Sequence, residues 1–249
     1  MPRTHASLPR LFIEHPLGSG LAVTLEKDQS LYLATVLRKQ LGDEVVLFNG
    51  RDGAWLGRLT STAKKSVALE LIEQIAPQPA AADLWYGFAP LKAARLDYVI
   101  QKATEMGASI IQPVITRFTQ VSRIKLDRMR ANAIEAAEQC EVLNIPLIEP
   151  EVSLDRLLAF WVAHHGDRLL IVADEGAGSA SPVGQIAAIG GRPIGLLIGP
   201  EGGFADEERT LLLSQPFVIP ISLGPRILRA DTAAVAALAV IQAIIGDWR

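Results

Sequence analysis

The stretch that decides the fold is residues 195–208, GLLIGPEGGFADEE, in which a short apolar run ends in a loop of glycines and a proline. The apolar run reads as a buried strand, and the glycines after it let the backbone approach a ligand closely. The loop carries Glu201 where a Walker-type phosphate loop carries a lysine, and it lacks the spacing of dinucleotide-binding loops. The expected ligand is therefore uncharged or cationic, a description that S-adenosylmethionine, with its sulfonium centre, meets.

A second glycine-proline loop follows the next apolar run, within ISLGPRILRADTAA at 221–234. Ligands of open parallel sheets bind beyond the carboxyl ends of the strands, so both loops are expected at one site together with the strand end at 173–176. Tight turns alone would also explain the glycines. Arg226 and Arg229 precede the final helix and are candidates for binding a phosphate or a substrate anion. Asp231 or Thr232 is placed to cap that helix, which is an alternative to a chemical role for Asp231.

The rest of the chain predicts two domains. From residue 84 onwards, apolar runs alternate with helical patterns, which indicates an α/β domain with a largely parallel sheet. Before residue 76, short β-branched runs predict a small barrel or sandwich, interrupted by a helical period over 28–43. Two prolines and small residues at 76–83 predict a linker. The expected domains are therefore residues 1–75 and 84–249.

Composition restricts the class of protein. Hydrophobic residues make up 49% of the 249, enough for a core without disulfides or metals. The single cysteine, Cys140, and the lack of a long apolar stretch predict a cytoplasmic protein without membrane contact. The four histidines have no zinc-like spacing with Cys140, so no metal site is expected. A net charge of −3 argues against a general nucleic-acid coat protein, while the basic stretch 117–130 is typical of a local phosphate contact or of a solvated helix face.

Together, LLIGPEGGFADEE and SLGPRILRADTAAVAAL resemble the 16S rRNA uridine-N3 methyltransferases of the RsmE family, within the SPOUT superfamily of knotted methyltransferases. The resemblance covers nearly the whole chain, since PRLFI (9–13) and VLRKQLGDEVVLFNG (36–50) look like the family's PUA-like barrel. QKATEMGASIIQPVITRFT (101–119) looks like the start of its catalytic domain. The resemblance implies a trefoil knot that holds S-adenosylmethionine, a homodimer, and methylation of a uridine in the decoding region of the small ribosomal subunit.

The resemblance also implies which residues hold the cofactor, while position and charge suggest the catalytic and RNA-binding residues. The cofactor pocket is expected to contain Leu197, Gly199, Pro200, Glu201, Gly203, Leu223, Gly224 and Leu228. Arg229 is expected to stabilise negative charge on a uracil oxygen, while Asp231 or Glu201 accepts the N3 proton. The positively charged side chains expected to contact RNA are Arg10, Arg38, Lys39, Arg123 and Arg226.

The sequence departs from the family pattern in two places. After EAAEQC (135–140), Glu141 and Val142 stand where the family usually has a glycine-arginine pair, which removes a basic contact. Ala230 and Asp231 stand where Thr-Glu is frequent, which shortens the acid by a methylene. Two other functions fit the same residues: a non-catalytic RNA-binding protein, which cofactor binding would exclude, and a related knotted methyltransferase acting elsewhere on RNA.

Overall fold

The protein is described by a computed structural model that covers residues 5, 7–63, 66–120, 123–178 and 181–248. These residues form two compact units. The N-terminal unit comprises the chain up to Ala80 together with Ala137–Ile145, and the C-terminal unit comprises Ala81–Ala136 with the chain from Pro146 onwards. No helix among the described residues is long and apolar enough to cross a membrane.

The N-terminal unit is built on a sheet with the strand order β1-β3-β4-β5-β2. The strands are β1 (Arg10–Phe12), β2 (Ala22–Thr24), β3 (Glu44–Phe48), β4 (Ala54–Ala63) and β5 (Ser66–Ala76), and helix α1 (Lys27–Leu31) continues as a π-helical turn over Tyr32–Val36. β1 pairs with β3 in parallel, and the other pairs are antiparallel.

Strand β3 shows why residues 137–145 belong to this unit. Val45 and Leu47 face one apolar cluster, whereas Val46 and Phe48 on the opposite face pack in a second cluster that contains Leu143. A strand that is covered on both faces reads as a continuous apolar run, which explains the sequence EVVLF. No local pattern in the sequence indicates that this segment joins the N-terminal unit.

The helix predicted over 28–43 is shorter in the structure. The helical turns end at Val36, and Arg38 adopts a positive φ of 53°, which a helix does not contain. Asp43 accepts a hydrogen bond from the backbone nitrogen of Gln40 at 2.9 Å, so the chain turns there instead. Leu33, in the helical turns, is buried in the core of the unit, whereas Leu37 and Leu41 are 36% and 68% exposed, so only the first half of the apolar period faces a core.

The C-terminal unit contains a parallel sheet with the strand order β12-β10-β11-β6-β7-β8, and β9 also pairs with β7. The strands are β6 (Leu84–Phe88), β7 (Ile110–Ile115), β8 (Leu147–Ile148), β9 (Val152–Ser153), β10 (Leu169–Ala173), β11 (Ile194–Ile198) and β12 (Val218–Ile221). The helices are α2 (Ala93–Glu105), α3 (Leu126–Cys140, of which the residues from Ala137 belong to the N-terminal unit), α4 (Leu154–His165), α5 (Pro182–Ala187), α6 (Asp206–Leu213) and α7 (Ala230–Ile244). The predicted α/β class with a parallel sheet is confirmed, and the trefoil knot stays a prediction.

Both faces of this sheet are buried. Along β11, Leu196 and Ile198 pack in the cluster that includes residues of α2 and α7, whereas Leu197 points to the other face and packs with Trp161 of α4. Glycine is favoured at position 195, at the start of this run, because a Cβ atom there would lie 3.0 Å from the rings of both Trp161 and Trp85. With both faces covered, a ligand of this sheet has access only at the ends of the strands.

Candidate active site

The loops that follow β10, β11 and β12 lie side by side, because these three strands are neighbours and run in parallel. Together with the first turns of α2 and α7, they line a cavity of about 690 Å³, which is called the loop cavity below. Its size is typical of a site for a small molecule or cofactor. The two loops that were selected from the sequence therefore do form one site.

The loop after β11 is shaped by its glycines. Gly199 lies under the ring of Phe204, since a Cβ atom there would be 2.9 Å from the ring. Gly203 has a φ of +71°, and its backbone nitrogen donates a hydrogen bond to the carbonyl of Pro200 at 2.9 Å. A positive φ costs a residue with a side chain about 1–2 kcal/mol, so glycine is favoured at this turn.

The loop after β12 gives the loop cavity an apolar floor and a cationic mouth. Leu223 and Leu228 are partly buried against the core of the unit. Arg226 and Arg229 line the same cavity and are exposed. Gly224, which precedes both of them, turns the chain with a φ of +103°. An apolar base and exposed guanidinium groups suit a ligand that has a flat apolar part and a negatively charged neighbour.

A charged group that the sequence did not single out lies between the two loops. Arg95, in the first turn of α2, forms an ion pair with Glu201, and its Nε atom lies 4.0 Å from Oδ2 of Asp231. Arg95 and Glu201 are 106 residues apart in the sequence, so no local pattern could have paired them. The only available signal was the position of Arg95, just after a strand end and at the start of a helix.

The loop after β10 is fixed by a second ion pair. Nη2 of Arg209, on α6, donates to Oδ2 of Asp174 at 2.8 Å, while the backbone nitrogen of Gly176 donates to Oδ1 at 3.0 Å. The Asp174 carboxylate raises the pKa of Arg209 above its ordinary high value, so the guanidinium remains charged. A Cβ atom at Gly176 would lie 2.7 Å from the same guanidinium, so the loop closely surrounds it.

Asp231 lies beside the loop cavity and not in its lining. Its side chain is 19% exposed, and Oδ1 accepts a hydrogen bond from the backbone nitrogen of Thr232 at 2.8 Å. The capping role predicted for Asp231 or Thr232 is wrong, because α7 begins at Ala230 and Arg229 occupies the N-cap position. Burial, assisted by the charge of Asp231, raises the pKa of Tyr86 beneath it, so the phenol keeps its proton.

The structure brings most of the predicted cofactor residues together. Those that line the loop cavity are Gly199, Pro200, Glu201, Gly203, Leu223, Gly224 and Leu228. Leu197 does not, because side chains alternate along a strand and place it in the core on the α4 side. Sequence reasoning missed Arg95 on α2 and Arg209 on α6, which reach the site from other elements.

The residues predicted to contact RNA are distributed over both units. Arg10 lies on β1 and is partly buried, while Arg38 is exposed and Lys39 is half-buried just beyond the helical turns of the N-terminal unit. In the C-terminal unit, Arg123 is exposed before α3, and Arg226 lines the loop cavity. Among the residues that the structure describes, no group of three or more histidine, cysteine or acidic side chains is arranged to hold a metal ion.

Comparisons with known proteins agree with this geometry. Residues 78–242 match the family model of an RNA methyltransferase domain, and residues 25–72 match that of an RNA methyltransferase PUA domain. The chain is 32% identical to the ribosomal RNA small subunit methyltransferase E of Rickettsia conorii, over 94% of each chain. It is 33% identical to the enzyme of the same name from Synechocystis, over 90% of this chain and 73% of the relative.

Two solved structures are similar over almost the whole chain. The ribosomal RNA small subunit methyltransferase E from Neisseria gonorrhoeae, bound to S-adenosyl methionine, has a TM-score of 0.87 at 26% identity and covers 97% of this chain and all of its own. A methyltransferase from Legionella pneumophila, in complex with the cofactor SAM, has a TM-score of 0.81 at 30% identity, covering 95% of this chain and 97% of its own.

Proposed function

We propose, from the premise that this chain belongs to the ribosomal RNA small subunit methyltransferase E family, that it methylates N3 of a uridine in 16S rRNA. The chain is an S-adenosylmethionine-dependent rRNA methyltransferase, with an α/β catalytic domain and a PUA-like N-terminal domain. The main support for methylation at uridine N3 is the loop cavity, where the two glycine loops lie beside the exposed Arg226 and Arg229.

The residues of the loop cavity fit the cofactor. S-adenosylmethionine, when bound, supplies an electrophilic methyl group on a positively charged sulfur. Gly199 and Gly203 expose backbone groups for close approach, and Leu223 and Leu228 offer an apolar surface for a flat ring. Because the loop after β11 carries a carboxylate and no lysine, it suits a ligand without phosphates.

The uracil ring needs activation, because N3 is a poor nucleophile until it loses its weakly acidic proton. Arg229 is exposed at the mouth of the loop cavity, where its guanidinium is placed to stabilise negative charge on a uracil oxygen. Of the two acids, Glu201 is engaged by Arg95, whereas Asp231 keeps Oδ2 at 4.0 Å from that arginine. We therefore assign proton acceptance, through a water molecule, to Asp231, which lies beside the cavity, and the positioning of the glycine loop after β11 to Glu201.

Methyl transfer from labelled S-adenosylmethionine tests this function. Small ribosomal subunits from cells that lack the gene would be incubated with the protein, and the rRNA digested to nucleosides, with naked 16S rRNA as a parallel substrate. We expect 3-methyluridine as the labelled product, and the parallel reaction shows whether the assembled subunit is required. A labelled 2′-O-methyl nucleoside would instead support a related methyltransferase, and cofactor binding without any transfer would point to another RNA.

We further propose that the N-terminal unit binds RNA through Arg38 and Lys39. Arg38 has a positive φ and follows the π-helical turn, and such irregular backbone is concentrated at functional sites. Arg38→Glu is expected to weaken binding to small subunits and to reduce its salt dependence, whereas Lys27→Glu, which reverses an exposed charge on α1, is the control. Equal binding by both variants would show that Arg38 does not contribute to RNA binding.

A cytoplasmic location remains a prediction.

A homodimer through α7 completes the proposal. The sequence of this helix, ADTAAVAALAVIQAI, is apolar on nearly all sides, yet Val235, Ala236, Ala239 and Val240 are only partly buried in the single chain. A helix that is apolar all round is normally covered, and a second copy would cover this face. Sedimentation of the wild type as a dimer and of Ala239→Glu as a monomer is the expected result, and a monomeric wild type would contradict it.

A further inference from the structure

We propose that Arg95 is a positioning residue, which holds the glycine loop after β11 in its binding shape by pairing with Glu201. This inference rests on the proposed function, because it assigns a role in S-adenosylmethionine binding. Arg95 contacts Glu201 directly and lies 4.0 Å from Asp231, so one side chain of α2 reaches both the glycine loop and the start of α7.

The glycine loop needs such a tether. Three of the five residues from 199 to 203 are glycines, and glycine loses more conformational freedom on ordering than any other residue. One backbone hydrogen bond, from Gly203 to the carbonyl of Pro200, closes the turn internally. The Glu201 side chain attaches the loop to α2, a helix whose Val99 and Ile100 are buried in the core. The tether therefore connects a loop rich in glycine to a rigid element.

The second contact of Arg95 links the loop to the proposed chemistry. Asp231 lies in the first turn of α7, two residues after Arg229. Because Arg95 stands between Glu201 and Asp231, it reduces the repulsion between two carboxylates on the same side of the cavity. The glycine loop after β11 and the start of α7 can then stay close together, which keeps the loop in a fixed position relative to Arg229.

A direct role for Arg95 is the alternative. Its side chain is 38% exposed and lines the loop cavity, so it could contact a phosphate of the RNA. The two roles differ in what they require of Glu201. A positioning residue acts only while Glu201 is present, whereas a residue that binds ligand or RNA acts without it.

A double-mutant cycle on cofactor affinity separates these roles. Arg95→Ala, Glu201→Ala and the double variant would be titrated with S-adenosylmethionine by calorimetry. We expect Arg95→Ala to weaken binding about five- to tenfold in the wild-type background, because a charge-assisted contact between partly exposed side chains is lost. In the Glu201→Ala background the same change is expected to alter the affinity less than twofold. Arg95→Lys is expected to restore part of the loss.

The matched control is Arg128→Ala. Arg128 also pairs with a carboxylate on α2, with Nε donating to Oδ1 of Asp97 at 3.0 Å, but it does not line the loop cavity. Its loss is expected to leave the affinity for S-adenosylmethionine unchanged. Full additivity of Arg95→Ala and Glu201→Ala, or wild-type affinity in Arg95→Ala, would overturn the proposal.

Hydrogen exchange of the ligand-free protein keeps this test independent of the proposed function. Backbone amides of residues 199–205 are expected to exchange several-fold faster in Arg95→Ala and in Glu201→Ala, but not in Arg128→Ala. Amides of residues 174–178, which the Asp174–Arg209 pair holds, should not change. Unchanged exchange at 199–205 would refute the tether, whereas failure of the wild type to bind S-adenosylmethionine would refute only the proposed function.

Discussion

The two ends of the sheet in the C-terminal unit both carry arginines, but they use them differently. At the amino ends, Arg168 is 8% exposed and its Nη1 donates to the backbone carbonyls of Ile194 at 2.7 Å and Asp83 at 3.1 Å. At the carboxyl ends, Arg226 and Arg229 are exposed around a cavity. An arginine whose terminal Nη atoms donate to buried protein oxygens stabilises the fold, whereas exposed arginines over an apolar floor are available to a ligand.

The aromatic residues follow the same division. Trp161 is fully buried at the amino ends of the strands, where its ring stacks with that of Phe217. Its indole N–H donates to the carbonyl of Arg168 at 2.8 Å. At the carboxyl end the loops contain glycine, proline and leucine, and Phe204 supports Gly199. Substitutions at the amino end should therefore change stability, and substitutions at the carboxyl end should change binding and rate.

The largest effect is expected at Trp161. Trp161→Ala should lower the free energy of unfolding by about 3–5 kcal/mol, because it leaves a large cavity in the core and removes a buried hydrogen bond. Urea unfolding followed by fluorescence or circular dichroism would measure it. Phe160→Ala, next to it on α4 and 51% exposed, is the control and should cost well under 1 kcal/mol. Comparable losses for the two variants would contradict the division between buried and exposed sides of α4.

Arg229 is expected to give the largest effect on rate. Arg229→Ala should lower kcat for methyl transfer about 100- to 1,000-fold, since a donor to developing negative charge is lost. Its free energy of unfolding should stay within about 0.5 kcal/mol of the wild type, because the side chain is exposed. Single-turnover transfer at saturating cofactor measures the chemical step. A rate close to that of the wild type would remove Arg229 from the reaction.

The glycine loop should give an intermediate effect on affinity. Gly203→Ala places a residue with a side chain at a φ of +71°, which costs about 1–2 kcal/mol. The loop is expected to relieve this strain by changing its shape, and S-adenosylmethionine binding should weaken about tenfold. Calorimetric titration would measure it. Gly191→Ala is the control, because a Cβ atom there meets nothing and its φ is ordinary. Unchanged affinity in Gly203→Ala would mean that this turn does not shape the cofactor site.

The smallest effect is expected from pH at the amino end. Burial, with the charge of Arg168 as a second cause, lowers the pKa of His165 from 6.5 to about 4. The folded state therefore disfavours the protonated imidazole, so the contribution to stability is fully present above pH 6.5 and is lost as the pH falls towards 4. Because the ring is only half-buried, we expect a loss of about 1 kcal/mol at pH 4.5. His165→Gln should show a smaller loss over this range in urea unfolding, and an unchanged pH profile would contradict the assignment.

The sequence predicted the site where its patterns were local. The apolar run before GPEGG and the run before LGPRILR each end a strand, and parallel strands bring such ends to one edge, so both loops were placed correctly. Leu197 was misplaced because it was assigned with the loop, whereas the alternation of side chains along β11 sends it into the core. The helical period over 28–43 failed because a periodic pattern forms a helix only where a core covers it.

The missing parts of the site depend on contacts between distant segments. Arg95 meets Glu201 across 106 residues, and Arg209 meets Asp174 across 35. The sequence around Arg95 and around Arg209 gives no signal for these ion pairs, since arginines at helix starts and on helix surfaces are common. Only the order of strands in the sheet brings these partners together, and that order is a property of the folded chain.

The most direct test of the account is a crystal structure of the protein with S-adenosylmethionine. Besides the loop cavity, the described part of the C-terminal unit has a cavity of about 440 Å³ lined by Thr116 and Glu207, and one of about 390 Å³ beside α4 lined by Phe160 and His164. We expect electron density for the cofactor in the loop cavity, against Gly199, Leu223 and Leu228. Density in either of the other two cavities, or loops after β11 and β12 that make no contact with the cofactor, would contradict this assignment.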